Sequence, residues 1–465
     1  MRYVSTRGQS PAVGFTETLL GGLAPDGGLY VPQSWPSFTP DEIAAFAGRP
    51  YAEVAAEVLA RFVGDDIPRP ALEAMTAEAY ATFAHPAVTP LEQLDSDLWL
   101  LELFHGPTLA FKDVAMQILA RLYDHVLENR GRTLTIVCAT SGDTGGAAVE
   151  AFRNSRHARI GVLFPEGRIS EVQRRFMTTT GQANVACAAV EGTFDDCQNL
   201  VKALFRDDAF KAAVDLSGVN SINWARVAAQ AVYYFTAGAA LGAPHREVNF
   251  AVPTGNFGDA FAGYVAREMG LPIGRIVVAT NSNDIVARAF QTGRYAQGKV
   301  AATQSPAMDI QIASNFERLY FEAVGRDAGE TARAFQAFAE TGAIELPTQA
   351  FAAMRALFIG EAVDEAETAR TIRGTLQATG EVVDPHTAVG VAAAHRVRGR
   401  LEGPLVVLST AHPAKFPEAV EAAIERQPAL HPRAGGLYDR DEKIDRLPSD
   451  AEAVKAYVRR FAGIA

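Results

Sequence analysis

The chain has 465 residues, is 48% hydrophobic and 21% charged, and carries a formal net charge of -11. That length predicts two or three domains with a substantial core. Without a long basic cluster, the acidic balance argues against nucleic acid or a membrane as the main partner. It does not argue against a phosphorylated small molecule, which local arginines and helix N-termini bind whatever the total charge. Cys138, Cys187 and Cys197 are odd in number and match no metal spacing, so no metal site and a reduced, cytoplasmic protein are expected. The first eight residues have no apolar signal core, and the Ala-rich run 225–241, with Arg226 and Gln230, is too short and polar to span a bilayer.

Residues 1–90 read as a separate, mainly helical unit. Two Gly/Pro-rich patches, 21–28 and 31–32, precede apolar residues at three- and four-residue spacing over 41–46, 51–62 and 69–83. No catalytic cluster is evident there, so this unit is expected to pack against the core. From 98 onward strand and helix patterns alternate. Strands are predicted over 98–103, 133–139, 160–164, 185–190, 248–252, 276–280 and 405–408. Helices are predicted from about 112, then over 145–153, 170–179, 194–205, 224–241, 257–269 and 417–425. Such alternation means βαβ units, an α/β chain and a largely parallel sheet. The stretch 317–379 reads as mostly helical, and the polar tail beyond 428 as a surface wrapping.

The chemistry gathers where strands hand over to helices. Lys112, in Phe104-His105-Gly106-Pro107-Thr108-Leu109-Ala110-Phe111-Lys112-Asp113, follows an apolar strand and a Gly-Pro turn and opens a helix. Apolar surroundings would lower its pKa and make it a nucleophile for Schiff-base chemistry, whereas on position alone it reads as a solvated first-turn lysine. The loop Ala139-Thr140-Ser141-Gly142-Asp143-Thr144-Gly145-Gly146 can aim backbone N–H groups at an anion, or be an ordinary tight turn. Pro253-Thr254-Gly255-Asn256-Phe257-Gly258-Asp259 has no lysine or arginine, so a phosphate there would rest on backbone N–H groups and the helix dipole. It matches neither common nucleotide-binding fingerprint. In Ser409-Thr410-Ala411-His412-Pro413-Ala414-Lys415, Thr410 is either a helix cap or a neutral partner for a heterocyclic nitrogen. His412 and Lys415 read as surface or packing residues. Asn220, Ser221 and Arg226 converge at another helix mouth, where arginine suits bidentate binding of carboxylate or phosphate, or simply snorkels.

With these phrases the chain resembles the threonine synthase family, pyridoxal-phosphate enzymes of fold type II (tryptophan synthase β-like). The resemblance includes Tyr3-Val4-Ser5-Thr6-Arg7-Gly8, Gly22-Leu23-Ala24-Pro25-Asp26-Gly27-Gly28-Leu29, the Lys112 phrase and all the loops above; the N-terminal phrases are those of the long form. It implies a helical unit over 1–90, a smaller lobe over 91–240 with Lys112 and the 141–144 loop, a larger lobe over 241–430 with the phosphate cradle and Thr410, and a tail over 431–465. It implies pyridoxal 5'-phosphate on Lys112, with Phe111 beside it. Gly255, Asn256, Phe257, Gly258 and Asp259 would lie around its phosphate, and Thr410 would meet its ring nitrogen. Thr140, Ser141, Asp143 and Thr144 would face the substrate's amino-acid end and the cofactor, and Asn220, Ser221 and Arg226 the leaving phosphate. The implied reaction turns O-phospho-L-homoserine and water into L-threonine and phosphate, in a monomer or small homo-oligomer. The rivals are a serine/threonine dehydratase, a related phospholyase, or a non-catalytic binding relative. Many fold type II relatives carry Asn where Asp143 stands. An ionised Asp only accepts hydrogen bonds, so Asp143 is expected to be protonated, to point elsewhere, or to serve another role.

Overall fold

The computed structural model describes residues 1–464. Two sheets organise it. The larger has six strands in the order Phe358–Ala362, Ile273–Thr280, Val248–Pro253, Leu405–Ser409, Leu98–Glu102 and Leu91–Gln93. All neighbours are parallel except the last pair. The smaller has five parallel strands: Asp445–Leu447, Val185–Val190, Ala158–Pro165, Leu134–Ala139 and Leu216–Ser217. Central strands such as Val248–Pro253 and Leu405–Ser409 are buried along their whole length. Helices cover both faces, which is why these strands read as continuous apolar runs without alternation.

Helix boundaries follow local chemistry. Ser170 and Gln173 close a capping box on Glu171–Thr178, and Thr193 and Asp196 close another on Phe194–Arg206. The helix Lys112–Arg130 stops at Gly131 in the left-handed region. The strand Val185–Val190 and the start of the helix Trp224–Ala240 fall where their apolar patterns predict.

Four features depart from the sequence reading. The N-terminal unit contains, beside its helices, an antiparallel ribbon, Tyr3–Ser5 with Tyr30–Pro32, and it shares one continuous apolar core with both lobes. Its Tyr3 packs 5.9 Å from Trp224, ring to ring. The strand Leu98–Glu102, expected with the smaller lobe, instead pairs with Leu405–Ser409 in the larger sheet. The stretch 317–379 holds two strands, Ala343–Glu345 and Phe358–Ala362, the second closing an edge of the larger sheet. It is short, half-buried and flanked by strong helical patterns, and Gly360 is required because a Cβ there would meet the Ala287 carbonyl oxygen at 2.4 Å. Finally, the tail is not a wrapping. Asp445–Leu447 extends the smaller sheet, and the helix Ala451–Ala462 buries Val454, Tyr457 and Val458 against it. No helix of the described residues is long and apolar enough to cross a membrane.

Candidate active site

The motif around Lys112 builds its own turn. The Asp113 carboxylate accepts hydrogen bonds from the Thr108 N–H and hydroxyl, both at 2.7 Å. Gly106 is obligatory beneath it, since a Cβ would lie 2.4 Å from the Asp113 Cβ. Burial pushes Asp113 up to about 6. The same loop zips onto the loop that follows Leu405–Ser409: Leu103 N–H donates to Ser409 O at 2.9 Å, Phe111 N–H to Thr410 O at 2.8 Å, and His412 N–H to Leu109 O at 3.0 Å. This backbone pairing sets Lys112 and Thr410 side by side across more than 290 residues of sequence.

Lys112 opens its helix and is only 8% exposed. Its Nζ lies 3.2 Å from Asp143 Oδ2 and 5.1 Å from the centre of the Phe111 ring. Burial holds the amine below its ordinary value; Asp143 opposes that, while Lys415 and Arg226 add to it. The Asp143 carboxylate also takes a second ammonium, Lys415 Nζ at 2.7 Å, and the Gln173 amide at 3.0 Å. Despite burial, the two lysines and the Gln173 hydrogen bond hold it well below the usual carboxylate range. Of the three expectations for Asp143, the geometry selects another role: an ionised counter-ion behind the lysine. Lys415, expected at the surface or in packing, is 1% exposed and fully engaged.

One cavity brings together Phe111, Lys112, Thr144, Ser221, Arg226, Thr410 and the whole run from Gly255 to Asp259. A separate hollow beneath the C-terminal helix, beside Lys443 and Asp445, holds no comparable cluster. In the Lys112 cavity the backbone N–H groups from Gly255 to Ala260 make no hydrogen bond among the described residues. Phe257 sits at φ 61° as the N-cap of Gly258–Glu268 and caps nothing with its side chain. Gly255 has no room for a side chain, as a Cβ would sit 2.7 Å from Ala307 O. The result is a nest of free donors at a helix N-terminus, which suits a phosphate. The Asp259 carboxylate itself turns away, accepting from the Tyr233 and Tyr234 hydroxyls at 2.5 and 3.1 Å.

Arg226 is the most telling charge. It is 4% exposed, donates from Nη1 to Val219 O at 2.9 Å, leaves Nε unpartnered, and forms no ion pair among the described residues. Burial pushes it down to about 10. A buried guanidinium without a carboxylate is costly unless an anion completes it. Thr410 is held by its N–H on the Thr387 hydroxyl at 3.2 Å; Thr387 donates in turn to Asp384, which also binds His386 Nδ1 at 2.6 Å. His386 Nε2 accepts from the Ala307 N–H at 3.2 Å, which leaves Nδ1 to donate to Asp384.

Four residues expected at the site, Thr140, Ser141, Asp143 and Asn220, are not part of the cavity lining, Asp143 standing behind Lys112 as described. The Thr140 hydroxyl accepts the Gly142 and Gly145 N–H groups at 2.9 and 2.8 Å, shaping the loop from within. Ser141 lies half-exposed beside it, and Asn220 is exposed. Sequence reasoning missed Lys415, Gln173, the Asp384–Thr387 network and Gln230. It also missed Asn315 and Arg318, which bond Asn256 O, Ser221 O, Ile222 O and Tyr30 O and so clamp two site loops to the N-terminal unit. Asp384-Pro385 reads only as a helix start, and nothing local marks the others.

Family models match in three consecutive pieces: "Threonine synthase N terminus" over residues 2–80, "Pyridoxal-phosphate dependent enzyme" over 82–361, and "Threonine synthase, C-terminal" over 387–458. The threonine synthase of Pseudomonas aeruginosa is 50% identical over 459 residues, covering 98% of both chains. That of Methylobacillus glycogenes is 43% identical, covering 98% of this chain and 99% of the relative. Among solved structures, a PLP-bound threonine synthase from Brucella melitensis superposes with a TM-score of 0.96 at 53% identity, covering 99% of each chain.

Proposed function

The chain belongs to the threonine synthase family, and from that premise we propose which residues carry its reaction and on which substrate. It is a pyridoxal-phosphate-dependent lyase of fold type II. The residues present fit that cofactor: a buried amine, a nest of unclaimed N–H groups and a neutral hydroxyl face one cavity. When bound, pyridoxal phosphate supplies an aldehyde that condenses with amines and a conjugated ring that draws electrons from the carbon beside the substrate nitrogen.

Lys112 would be the amine that holds the cofactor, and its Nζ the base and acid that moves protons between neighbouring substrate carbons. Its lowered basicity suits both tasks. The N–H groups from Gly255 to Asp259 would hold the cofactor phosphate, and Phe111 would pack beside the ring. Thr410 would meet the ring nitrogen with a hydroxyl, which, unlike a carboxylate, does not hold a proton there. That weaker electron withdrawal favours elimination over transamination. Thr144 would face the substrate's amino-acid end.

The substrate is O-phospho-L-homoserine, and the net reaction consumes water and gives L-threonine and phosphate. The observation that carries this choice is Arg226, a buried guanidinium without a counter-ion on the same cavity as Lys112. Together with Ser221 it would take the phosphate of substrate and product. A cytoplasmic location agrees with three buried, unpaired cysteines. The test is incubation with O-phosphohomoserine, following phosphate and amino-acid products together. Equimolar phosphate and threonine are expected. Ammonia from serine or threonine with no action on the phosphorylated compound would overturn the assignment.

A further inference from the structure

Lys415 takes no part in the reading above, yet it is almost wholly buried, more so than Lys112. It ends the short turn Pro413–Lys415, five residues beyond Thr410, and reaches back towards Lys112. Its Nζ donates to Thr108 O at 2.8 Å, lies 2.7 Å from Asp143 Oδ1, and stands 5.6 Å from the centre of the Phe176 ring. The other Asp143 oxygen receives Lys112 at 3.2 Å. One carboxylate therefore serves two ammonium groups, and the shorter contact belongs to Lys415.

The arrangement is built rather than incidental. Gln173, the third partner of Asp143, closes a capping box with Ser170, and the Ser170 hydroxyl donates to Lys415 O at 3.2 Å. Gly142 must be glycine there, because a Cβ would lie 2.5 Å from the Gln173 side chain. Three separate elements thus hold the carboxylate in place.

A lone aspartate beside a lysine would favour its ammonium form, and an ammonium neither attacks an aldehyde nor takes a proton from carbon. We propose that Lys415 is a positioning residue for Lys112: it neutralises Asp143, so the carboxylate orients the Lys112 amine without trapping its proton. This inference rests on Lys112 being the amine that bonds the cofactor. The charged and titratable groups around Lys112 are Asp143 from the helix Asp143–Phe152, Lys415, Arg226 from Trp224–Ala240, Asp113 from its own helix, and His386 and Asp259 across the cavity. Only Asp143 and Lys415 form the direct charge chain.

The test follows the capture of pyridoxal phosphate by cofactor-free, full-length protein, read from its absorbance across pH 6–10. In this step the amine nitrogen joins the aldehyde carbon and one water leaves. Borohydride then delivers hydride to that carbon while water supplies a proton to nitrogen, and mass spectrometry locates the adduct. In Lys415→Met, Asp143 is left to Lys112 alone. The midpoint of the capture-rate profile should rise by about one pH unit or more, making capture roughly tenfold slower near neutral pH and equal at pH 10. Lys415→Arg should restore the wild-type midpoint. Asp143→Asn should move it the opposite way, and Lys415→Met/Asp143→Asn should return it towards wild type. Asp143→Asn keeps the test open if Lys415→Met fails to fold. Unchanged midpoints with the adduct still on Lys112, whatever the loss of folded protein, would reduce Lys415 to a structural brace. An adduct on another residue would overturn the assignment of Lys112 itself.

Discussion

Arg226 sets two demands against each other. Without an anion its charge is buried and unpaired, so the ligand-free protein carries a desolvation cost. With a phosphate in place, the same guanidinium gains charge-assisted hydrogen bonds worth about 1.5–3 kcal/mol. Arg226→Met should therefore raise the Tm of the ligand-free protein while raising KM for the phosphorylated substrate by roughly 10- to 100-fold. Thermal melts and steady-state kinetics on one preparation check both signs; a variant that loses stability and keeps its KM contradicts the assignment. At this scale the sequence was readable where chemistry coincides with a turn signal: Lys112 after Gly-Pro, Thr410 at a strand end, the glycines of 255–258. Lys415 was not readable. What distinguishes it from a surface lysine is burial against Phe176 and Asp143, and those contacts come from distant segments.

The helix Gly258–Glu268 couples the phosphate nest to acidity. Its Asp259 is buried beneath Tyr233 and Tyr234, and burial pushes the carboxyl up to about 7, above its ordinary value of 3.8. Below pH 7 the group is neutral. Above it, a negative charge appears one residue into the helix whose N-terminus should receive a phosphate, offsetting the helix dipole. Cofactor affinity is thus expected to weaken as pH rises through about 7. By reciprocity, bound phosphate raises the Asp259 pKa further. Comparing dissociation constants for pyridoxal phosphate at pH 6 and 8.5 isolates the effect: the wild-type ratio should exceed that of Asp259→Asn by about fivefold, an interaction near 1 kcal/mol. Equal ratios would mean the carboxylate does not sense the nest. The raised carboxyl also costs fold stability as pH climbs from its unfolded value towards 7. Elements with strong apolar runs were legible, as Val185–Val190 and the helix Glu171–Thr178 illustrate. The strand Phe358–Ala362 was not, because a five-residue, half-exposed edge strand between amphipathic helices leaves no period of its own.

Across the molecule, both lobes are completed by distant chain. The smaller sheet needs Asp445–Leu447 and the helix behind it, whose Val454, Tyr457 and Val458 join one apolar cluster with Val137, Leu163 and Leu204. Each buried side chain of this kind is worth about 1.5–3 kcal/mol, so together they are comparable with a typical net stability. A chain ending at residue 441 should melt more than about 5 °C lower or fail to accumulate as soluble protein. It should also bind cofactor more weakly, because the loop that carries Asp143 hangs from this sheet. An unaltered melting curve would show that the tail is dispensable. The composition of the tail hid this role: its few apolar residues recur at helical spacing, but the surface they cover lies some 300 residues earlier.

The pairing of residues 103–111 with 409–412 has a consequence for how the enzyme is made. A ribosome releases the amine-bearing turn early, but the segment that must lie against it emerges only some 300 residues later. Until then the turn has no partner, its amine stays hydrated, and the vitamin-derived aldehyde has nowhere to lodge. Lasting capture of the cofactor is therefore expected only after residues 409–412 have joined the chain.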